Sequence, residues 1–304
     1  MSHSSTYLTL RQYFSKHFIT KINRVTPDKH NYLRTLTNIA KVPKYVYFAG
    51  ILPSDRTTSV AIVGTRKPTA YGKEVANTLS YDLAKKGVVI ISGLALGIDA
   101  IAHKAAIEAN DTTIAVLANS VDQIYPRTNK DLADKIITSG GAILSECEPP
   151  TDARDFQFLA RNRIVSGLAD AVIVIEAAAR SGTLATVTHA LEQGKEVFVI
   201  PGNITSPLSA GCNALLKQGA HVATCAEDVL EIIAPQLLEA QSILPLGSTP
   251  LESTVIQLLQ SGMRDGEELQ RQSTATAAEF NQALTILEIN GTIRALGGNQ
   301  WTLR

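Results

Sequence analysis

Val88-Val89-Ile90-Ile91-Ser92-Gly93-Leu94-Ala95-Leu96-Gly97-Ile98-Asp99 is the stretch from which the fold can be read. An unbroken β-branched run breaks into a glycine-bearing turn, and a helical pattern follows at once. Three other segments repeat the device: Val60–Gly64 leads into Thr65-Arg66, Ala171–Ile175 toward Ser181-Gly182-Thr183, and Val197–Ile200 into Pro201-Gly202-Asn203. Continuous apolar runs of this kind are strands buried on both faces, as in parallel sheets covered by helices. Ligands of such sheets bind outside the carboxyl ends of the strands. The four turns therefore describe one rim, and their small polar and basic residues suit a phosphate-bearing ligand.

Working outward, strands are expected at Ala61–Gly64, Val88–Ser92, Thr113–Leu117, Ala142–Ser145, Ala171–Glu176 and Glu196–Pro201. Helices are expected over Gly72–Lys86, Ile98–Glu108, Asn129–Ser139, Phe158–Leu168 and Thr183–Gln193, with a closing helix–strand–helix near Cys212–Gln218, Val222–Ala223 and Ala226–Ile233. This alternation specifies an α/β domain with a doubly wound, mostly parallel sheet over residues 46–234. Before it, residues 1–45 read as a basic, weakly helical arm, with helical periodicity around Tyr7–Phe18 and Tyr32–Ala40. After it, residues 235–249 have the composition of a linker, with Pro235, Pro245, Gly247 and Ser248. Residues 250–304 then read as helices over Leu251–Gln260, Asp265–Gln272 and Thr276–Asn290 and a hairpin of Thr292–Leu296 with Gln300–Leu303. Three helices and a hairpin make a winged-helix pattern.

The formal charge of the 304 residues is zero, but it is unevenly spread. Residues 1–47 hold eight basic side chains against one acid, residues 48–247 hold 16 against 21, and residues 248–304 hold four against six. The first segment reads as a solvated tail or as a salt-sensitive nucleic-acid contact. Cys147, Cys212 and Cys225 are scattered, so neither a disulfide framework nor a zinc site is expected, and a reducing cytoplasm fits best. No apolar stretch approaches the roughly 18–20 residues that span a bilayer, and no signal segment is visible, so a soluble protein without a membrane partner is expected.

The rim itself offers a set of candidate residues. Gly64, Thr65 and Arg66 open a turn that ends at Tyr71-Gly72, where hydroxyls, cations and backbone N–H groups at a helix N-terminus suit an anion. The spacing matches neither GxGxxG nor GxxxxGK[ST], which argues against ordinary dinucleotide or Mg-nucleotide binding. Ser92 and Gly93 repeat the device after the second run, while Asp99 and His103 read as a loop-fixing, structural pair. Phe158, Arg161, Asn162 and Arg163 form the densest cluster: guanidinium groups fork onto phosphates, and an aromatic ring offers a stacking face. Either arginine could instead neutralise a carboxylate such as Glu176, Arg163 more naturally than Arg161. Ser181, Gly182 and Thr183 open another helix, and Gly202 and Asn213 complete the rim.

These motifs, in this order, resemble the DNA-processing protein A family (DprA, also called Smf). The resemblance rests on Gly64-Thr65-Arg66 with Tyr71-Gly72, the Ser92–His103 stretch, Tyr125-Pro126, Glu146 with Pro149-Pro150, Arg161-Asn162-Arg163-Ile164-Val165-Ser166-Gly167-Leu168, Ser181-Gly182-Thr183 and Pro201-Gly202-Asn203. It runs from about Pro43 to Ile233, and the C-terminal unit is similar to the winged helix of that family. The resemblance implies an extended Rossmann fold that binds single-stranded DNA, forms a homodimer and hands the strand to the RecA recombinase during natural transformation. It places Arg66, Phe158, Arg161, Asn162, Arg163 and Ser181–Thr183 in the binding pocket, with no catalytic residue, cofactor or metal. Two departures are Thr65 and Thr183, where that family often carries Ser; both keep a hydroxyl.

Two further expectations follow. The LOG-like nucleoside monophosphate phosphoribohydrolases share the superfold and resemble Pro-Gly-Gly-x-Gly-Thr-x-x-Glu; here Thr186 stands where the catalytic Glu would be, which disfavours hydrolysis. The third winged-helix segment, Thr276–Asn290, holds Glu279 and Glu288 and no Lys or Arg, so a structural or protein-contact role is expected in place of groove docking. For the dimer, Ile204, Leu208, Leu215 and Leu216 near the sheet end are the candidate apolar positions.

Overall fold

A computed structural model describes residues 21–239 and 249–303. The Tyr7–Phe18 periodicity and most of the 235–249 linker lie outside the described residues. The chain divides into two compact units, residues Met1–Pro235 and Gln236–Arg304.

The first unit is built on a nine-stranded sheet in the order β1-β2-β6-β5-β4-β3-β7-β8-β9. Its strands are β1 (Asn23–Val25), β2 (Val46–Gly50), β3 (Ser59–Val63), β4 (Val89–Ser92), β5 (Thr113–Val116), β6 (Ala142–Ser145), β7 (Ala171–Val174), β8 (Glu196–Val199) and β9 (His221–Val222). From β6 to β9 all pairings are parallel, whereas β2 runs antiparallel to β6 and β1 antiparallel to β2. Every residue of β3, β4, β5, β6 and β7 is buried. The helices are α1 (Ala70–Lys85), α2 (Ile98–Glu108), α3 (Lys130–Thr138), α4 (Asp155–Leu168), α5 (Thr183–Glu192), α6 (Ala210–Lys217) and α7 (Ala226–Ile233). Sequential strands step one way from β3 to β6 and the other way from β7 to β9. The order therefore reverses between the neighbouring strands β3 and β7, the point at which α/β sheets open a crevice at their carboxyl ends.

Residues 21–45 do not form an arm, contrary to the sequence expectation. They supply β1 and, within the weak helical periodicity of Tyr32–Ala40, a 3-10 helix over Tyr32–Asn38. Tyr32, Leu33 and Leu36 are fully buried in the main core. Burial of each such side chain is worth about 1.5–3 kcal/mol, more than solvating a few lysines could offset. Gly167 of α4 makes the docking possible, because a side chain there would crowd Leu36 and Ile39 at 3.0 Å. Tyr32 Oη shares a 2.9 Å hydrogen bond with Ser59 at the start of β3, and burial pushes its phenol up to about 12. Beside it, Arg56 donates to the Leu168 carbonyl at 2.8 Å and pairs with Asp170, whose carboxylate also accepts from Ser59 N at 2.9 Å.

The second unit is a winged helix: α8 (Pro250–Gln260), α9 (Gly266–Ser273), α10 (Ala277–Ile289) and the hairpin β10 (Ile293–Gly297) with β11 (Gln300–Leu303). Its boundaries follow cap chemistry. Thr249 accepts from Glu252 N, Asp265 from Glu267 N and Glu268 N, and Thr276 forms a capping box with Glu279. Val255, Ile256, Leu259, Leu269, Phe280, Leu284, Leu287 and Ile293 form its core. Among the described residues, no helix is long and apolar enough to cross a membrane and no metal-binding cluster occurs.

Candidate functional site

The crevice at the β3/β7 reversal holds a cavity of about 300 Å³. Gly64, Thr65, Arg66, Gly93, Phe158, Arg161, Asn162, Ser181, Gly182 and Thr183 all line it, so ten of the candidate residues converge. They arrive from four elements. The turn after β3 brings Gly64–Arg66, the turn after β4 brings Gly93, one face of α4 brings Phe158, Arg161 and Asn162, and the N-terminus of α5 brings Ser181–Thr183. Thr183 Oγ1 donates to Gly64 O at 3.1 Å, and Ile98 N donates to Thr65 O at 3.2 Å, stitching the turns together. Gly97 permits that second contact: its φ is +80°, and a side chain there would sit 2.7 Å from the Arg66 carbonyl carbon.

Arg161 forms the floor. It is 6% exposed, and its Nη1 donates to Gly93 O at 2.8 Å and to Val116 O. Among the described residues Nη2 has no hydrogen-bond acceptor, and it lies against Gly93, where only a glycine leaves room for it. Burial pushes this guanidinium down to about 10; the nearby Asp99 opposes the shift and Arg66 adds to it. Arg66 is exposed, and its Cζ stands 5.7 Å over the Phe158 ring, which in turn lies 5.6 Å from the Tyr125 ring. Two cations thus face one cavity. Like charges held this close are unfavourable until an anion joins them.

Asp99, buried at the cavity wall, has its carboxyl pushed above the usual range by burial, with Arg161 acting in the other direction. Its Oδ2 accepts from Gly93 N at 3.1 Å and Ala95 N at 3.3 Å, so it fixes the turn after β4, the loop-fixing role expected of it. His103, by contrast, turns to Thr113 at 2.7 Å and makes no bond to Asp99. Thr113 Oγ1 donates to Ile90 O, so His103 Nδ1 carries the proton, and burial pushes the imidazole down to about 3.

Five candidates fall outside this cavity. Ser92 is fully buried and its hydroxyl donates to Ile62 O at 2.6 Å, so neither it nor the Gly93 amide, spent on Asp99, offers a donor to a ligand. Arg163 points to the other side of α4 and forks onto Glu146 at 2.7 and 2.6 Å, with a further bond to Lys41 O at 2.9 Å. The carboxylate expected as an arginine partner, Glu176, instead accepts from Thr69 N and Oγ1. Tyr71 and Gly202 line a second cavity beyond the turn after β3, and Asn213 braces Gly202 through both its backbone N–H and its carbonyl. The sequence reading missed Asp99 as the opposing charge to Arg161, Glu146 as the partner of Arg163, and Tyr125 as the neighbour of Phe158. Their separations along the chain carry no local signal.

The dimer candidates divide as well. Leu215 is 9% exposed and belongs to the main core, Leu216 packs against that core, and Ile204 stands 91% exposed.

Thr186 lines the cavity at 2% exposure. Among the described residues, Asp99 is the one carboxyl-bearing side chain in the cavity wall.

Comparison with known proteins places the fold in a family. The profile of the family described as DNA recombination-mediator protein A matches residues 23–234, and that of the DprA winged helix domain matches residues 225–299. The DNA processing protein DprA of Bacillus subtilis is 42% identical over 211 residues, 69% of this chain and 71% of that protein. Protein Smf of Escherichia coli is 42% identical over 207 residues, which span 68% of this chain and 55% of the longer relative. Among solved structures, DprA of Streptococcus pneumoniae superposes with a TM-score of 0.64 at 36% identity, covering 76% of this chain and 83% of that one. DprA of Helicobacter pylori, whose structure addresses its single-stranded DNA binding mode, gives 0.63 at 33% identity, covering 74% and 99%. From β1 to α7 and on into the winged helix, the chain belongs to the DNA recombination-mediator protein A family, also known as DprA or Smf.

Proposed function

We propose that the chain binds single-stranded DNA in the 300 Å³ cavity and holds it without cleaving it. The observation that carries this is the convergence of the Arg66 and Arg161 guanidiniums on one crevice at the sheet reversal. Arg66 has neither an ion pair nor a hydrogen-bonded acceptor among the described residues, and Arg161 Nη2 is unspent. A phosphate entering between them would relieve their repulsion and gain charge-assisted bonds. Phe158, with Arg66 above it, offers a base a stacking face, and neither contact reads base identity. Binding should therefore be sequence-independent at this cavity and should weaken as salt rises.

Absence of N-glycosidic hydrolysis is supported by Thr186 in place of a catalytic glutamate, and by Asp99 Oδ2, already committed to two backbone amides. Incubation with AMP or CMP tests it: release of free base would overturn this part of the proposal. Membership in the family supports a homodimer that places two cavities on one strand and passes it to the RecA recombinase in transformation. Light scattering reads the dimer, and RecA filament formation on DNA with and without the protein reads the transfer. For the binding itself, anisotropy of labelled dT12 with the wild type, Arg66→Ala and Arg161→Ala is decisive. Equal affinities in all three would remove the cavity from the binding site.

A further inference from the structure

Tyr125 borders the first cavity from the loop between β5 and α3, and it is 50% exposed. Its hydroxyl makes no hydrogen bond among the described residues. The loop that carries it is nevertheless pinned on both sides. Upstream, Ser120 N donates to Thr151 O at 3.1 Å, Ser120 Oγ accepts from Thr151 N at 2.8 Å, and Val121 is fully buried. Downstream, Asn129 N donates to Pro126 O at 3.0 Å, while Asn129 Nδ2 donates to Leu94 O at 2.9 Å and to Ala95 O at 3.3 Å. Ala95 lines the first cavity, so the loop is tied directly to the cavity wall. A half-exposed ring on an anchored loop loses little freedom when a ligand covers it, as a recognition residue requires.

The ring touches the cavity through Phe158: their centroids are 5.6 Å apart and their planes are tilted by 56°. Bases stacked along one strand are about 3.4 Å apart. Rings at this wider spacing and tilt suit two successive bases that have left the stack, one on each ring. Two residues beyond Tyr125, Arg127 is exposed and has neither an ion pair nor a hydrogen-bonded acceptor among the described residues. Lys130, next along, is instead committed to Asp134 at 3.1 Å. Tyr125 and Arg127 thus repeat, one step outward, the ring and guanidinium of Phe158 and Arg66. The rim on the other side of the turn after β3 offers no such continuation. No Lys or Arg lines the cavity there, and the Tyr71 hydroxyl is tied to Pro201 O at 2.9 Å.

We propose that Tyr125 and Arg127 form a second nucleotide subsite, in which one base rests on the Tyr125 ring and an adjoining phosphate meets Arg127. The proposal rests on the strand binding assigned to the first cavity. It gives that strand a direction: from the phosphate held between Arg66 and Arg161 it leaves over Phe158 toward the loop after β5. A ring face and a guanidinium–phosphate contact are open to every nucleotide, so the subsite adds affinity and length without adding a base preference.

The full chain is titrated with labelled dT12 as the wild type, Tyr125→Leu, Tyr125→Phe, Arg127→Ala and Arg66→Ala. Tyr125→Leu keeps an apolar side chain beside Phe158 but removes the ring, and should bind at least about fivefold more weakly. Tyr125→Phe keeps the ring and should bind within about twofold of the wild type. Arg127→Ala should bind more weakly, with a slope of log affinity against log salt lower by about 0.7. Photocrosslinking separates a contact with the base from mere propping of Phe158. The same oligonucleotide with 5-iodouracil in place of alternate thymines is irradiated on the wild-type protein, and the crosslinked residues are mapped by mass spectrometry. A crosslink at Tyr125 supports the subsite. Crosslinks at Phe158 with none at Tyr125, or a Tyr125→Leu variant that binds as tightly as the wild type while Arg66→Ala is weakened, would overturn it and leave the first cavity standing. If the wild type binds no dT12, cavity and subsite fall together.

Discussion

Replacing Gly93 by alanine perturbs the cavity floor without removing a charge. A Cβ built on Gly93 lies 2.7 Å from Arg161 Cζ and 2.8 Å from Nη1, whereas ordinary contact begins at 3.4 Å. The backbone of Gly93 has no positive φ, so alanine is not strained there and the whole effect falls on the guanidinium. Nη2 lies closer still, so Arg161 has to retreat by more than the roughly 0.7 Å by which Cζ falls short of ordinary contact, and it is pinned by its bonds to Gly93 O and Val116 O. Loss of one charge-assisted bond costs about 1.5–3 kcal/mol, so the fold should be destabilised by roughly that amount in urea titrations. A phosphate then meets a displaced donor. If one charge-assisted phosphate contact is lost, dT12 should bind about tenfold or more weakly by anisotropy. The cation is still present, so the dependence of affinity on salt should barely change. In Arg161→Ala, by contrast, the slope of log affinity against log salt should fall by about 0.7. If Gly93→Ala binds dT12 within twofold of the wild type, the floor of the cavity does not hold the phosphate.

Other consequences are equally concrete. Arg163 is committed to Glu146, so Arg163→Ala should lower stability by about 1–3 kcal/mol while dT12 affinity stays within about twofold; a large affinity loss would return Arg163 to the binding surface. His103 titrates near 3 in the fold and near 6.5 when unfolded, so the unfolded chain takes the proton first as pH falls. Its contribution is fully present above about pH 6.5 and is lost below it at roughly 1.4 kcal/mol per pH unit toward pH 3. The stability gap between wild type and His103→Asn should therefore shrink from pH 7.5 to pH 5 in urea titrations, and a constant gap would refute the assignment. Removal of residues 248–304 should leave single-strand affinity nearly intact, because the unit is net acidic and α10 carries no Lys or Arg; a large loss would show that the winged helix holds DNA.

The parallel strands were legible because burial on both faces demands unbroken β-branched runs such as Val60–Val63 and Val89–Ile91. The winged helix was legible because Thr249, Asp265 and Thr276 cap its helices through local chemistry. Residues 21–45 were not. Tyr32, Leu33 and Leu36 make only a weak helical period, and the basic residues around them mask a segment whose partners are Ser59 and α4. The candidate rim was found as a set of turns, but a turn does not show which of its groups are already used. Ser92 and the Gly93 amide are spent inside the fold, and Arg163 meets Glu146 from a different strand end. Nor does one rim mean one cavity. The turn from Gly64 to Gly72 stands between Arg66 and Tyr71, dividing a cationic crevice from one that holds a lone carboxylate.

The most direct measurement is the affinity of the full chain for dT12 at several salt concentrations, for the wild type and Arg66→Ala. Arg66 has no structural bond to lose, so the variant should fold as the wild type does, bind more weakly, and show a salt slope lower by about 0.7. Identical affinities and slopes, or wild-type binding indifferent to salt, would contradict a phosphate held between Arg66 and Arg161.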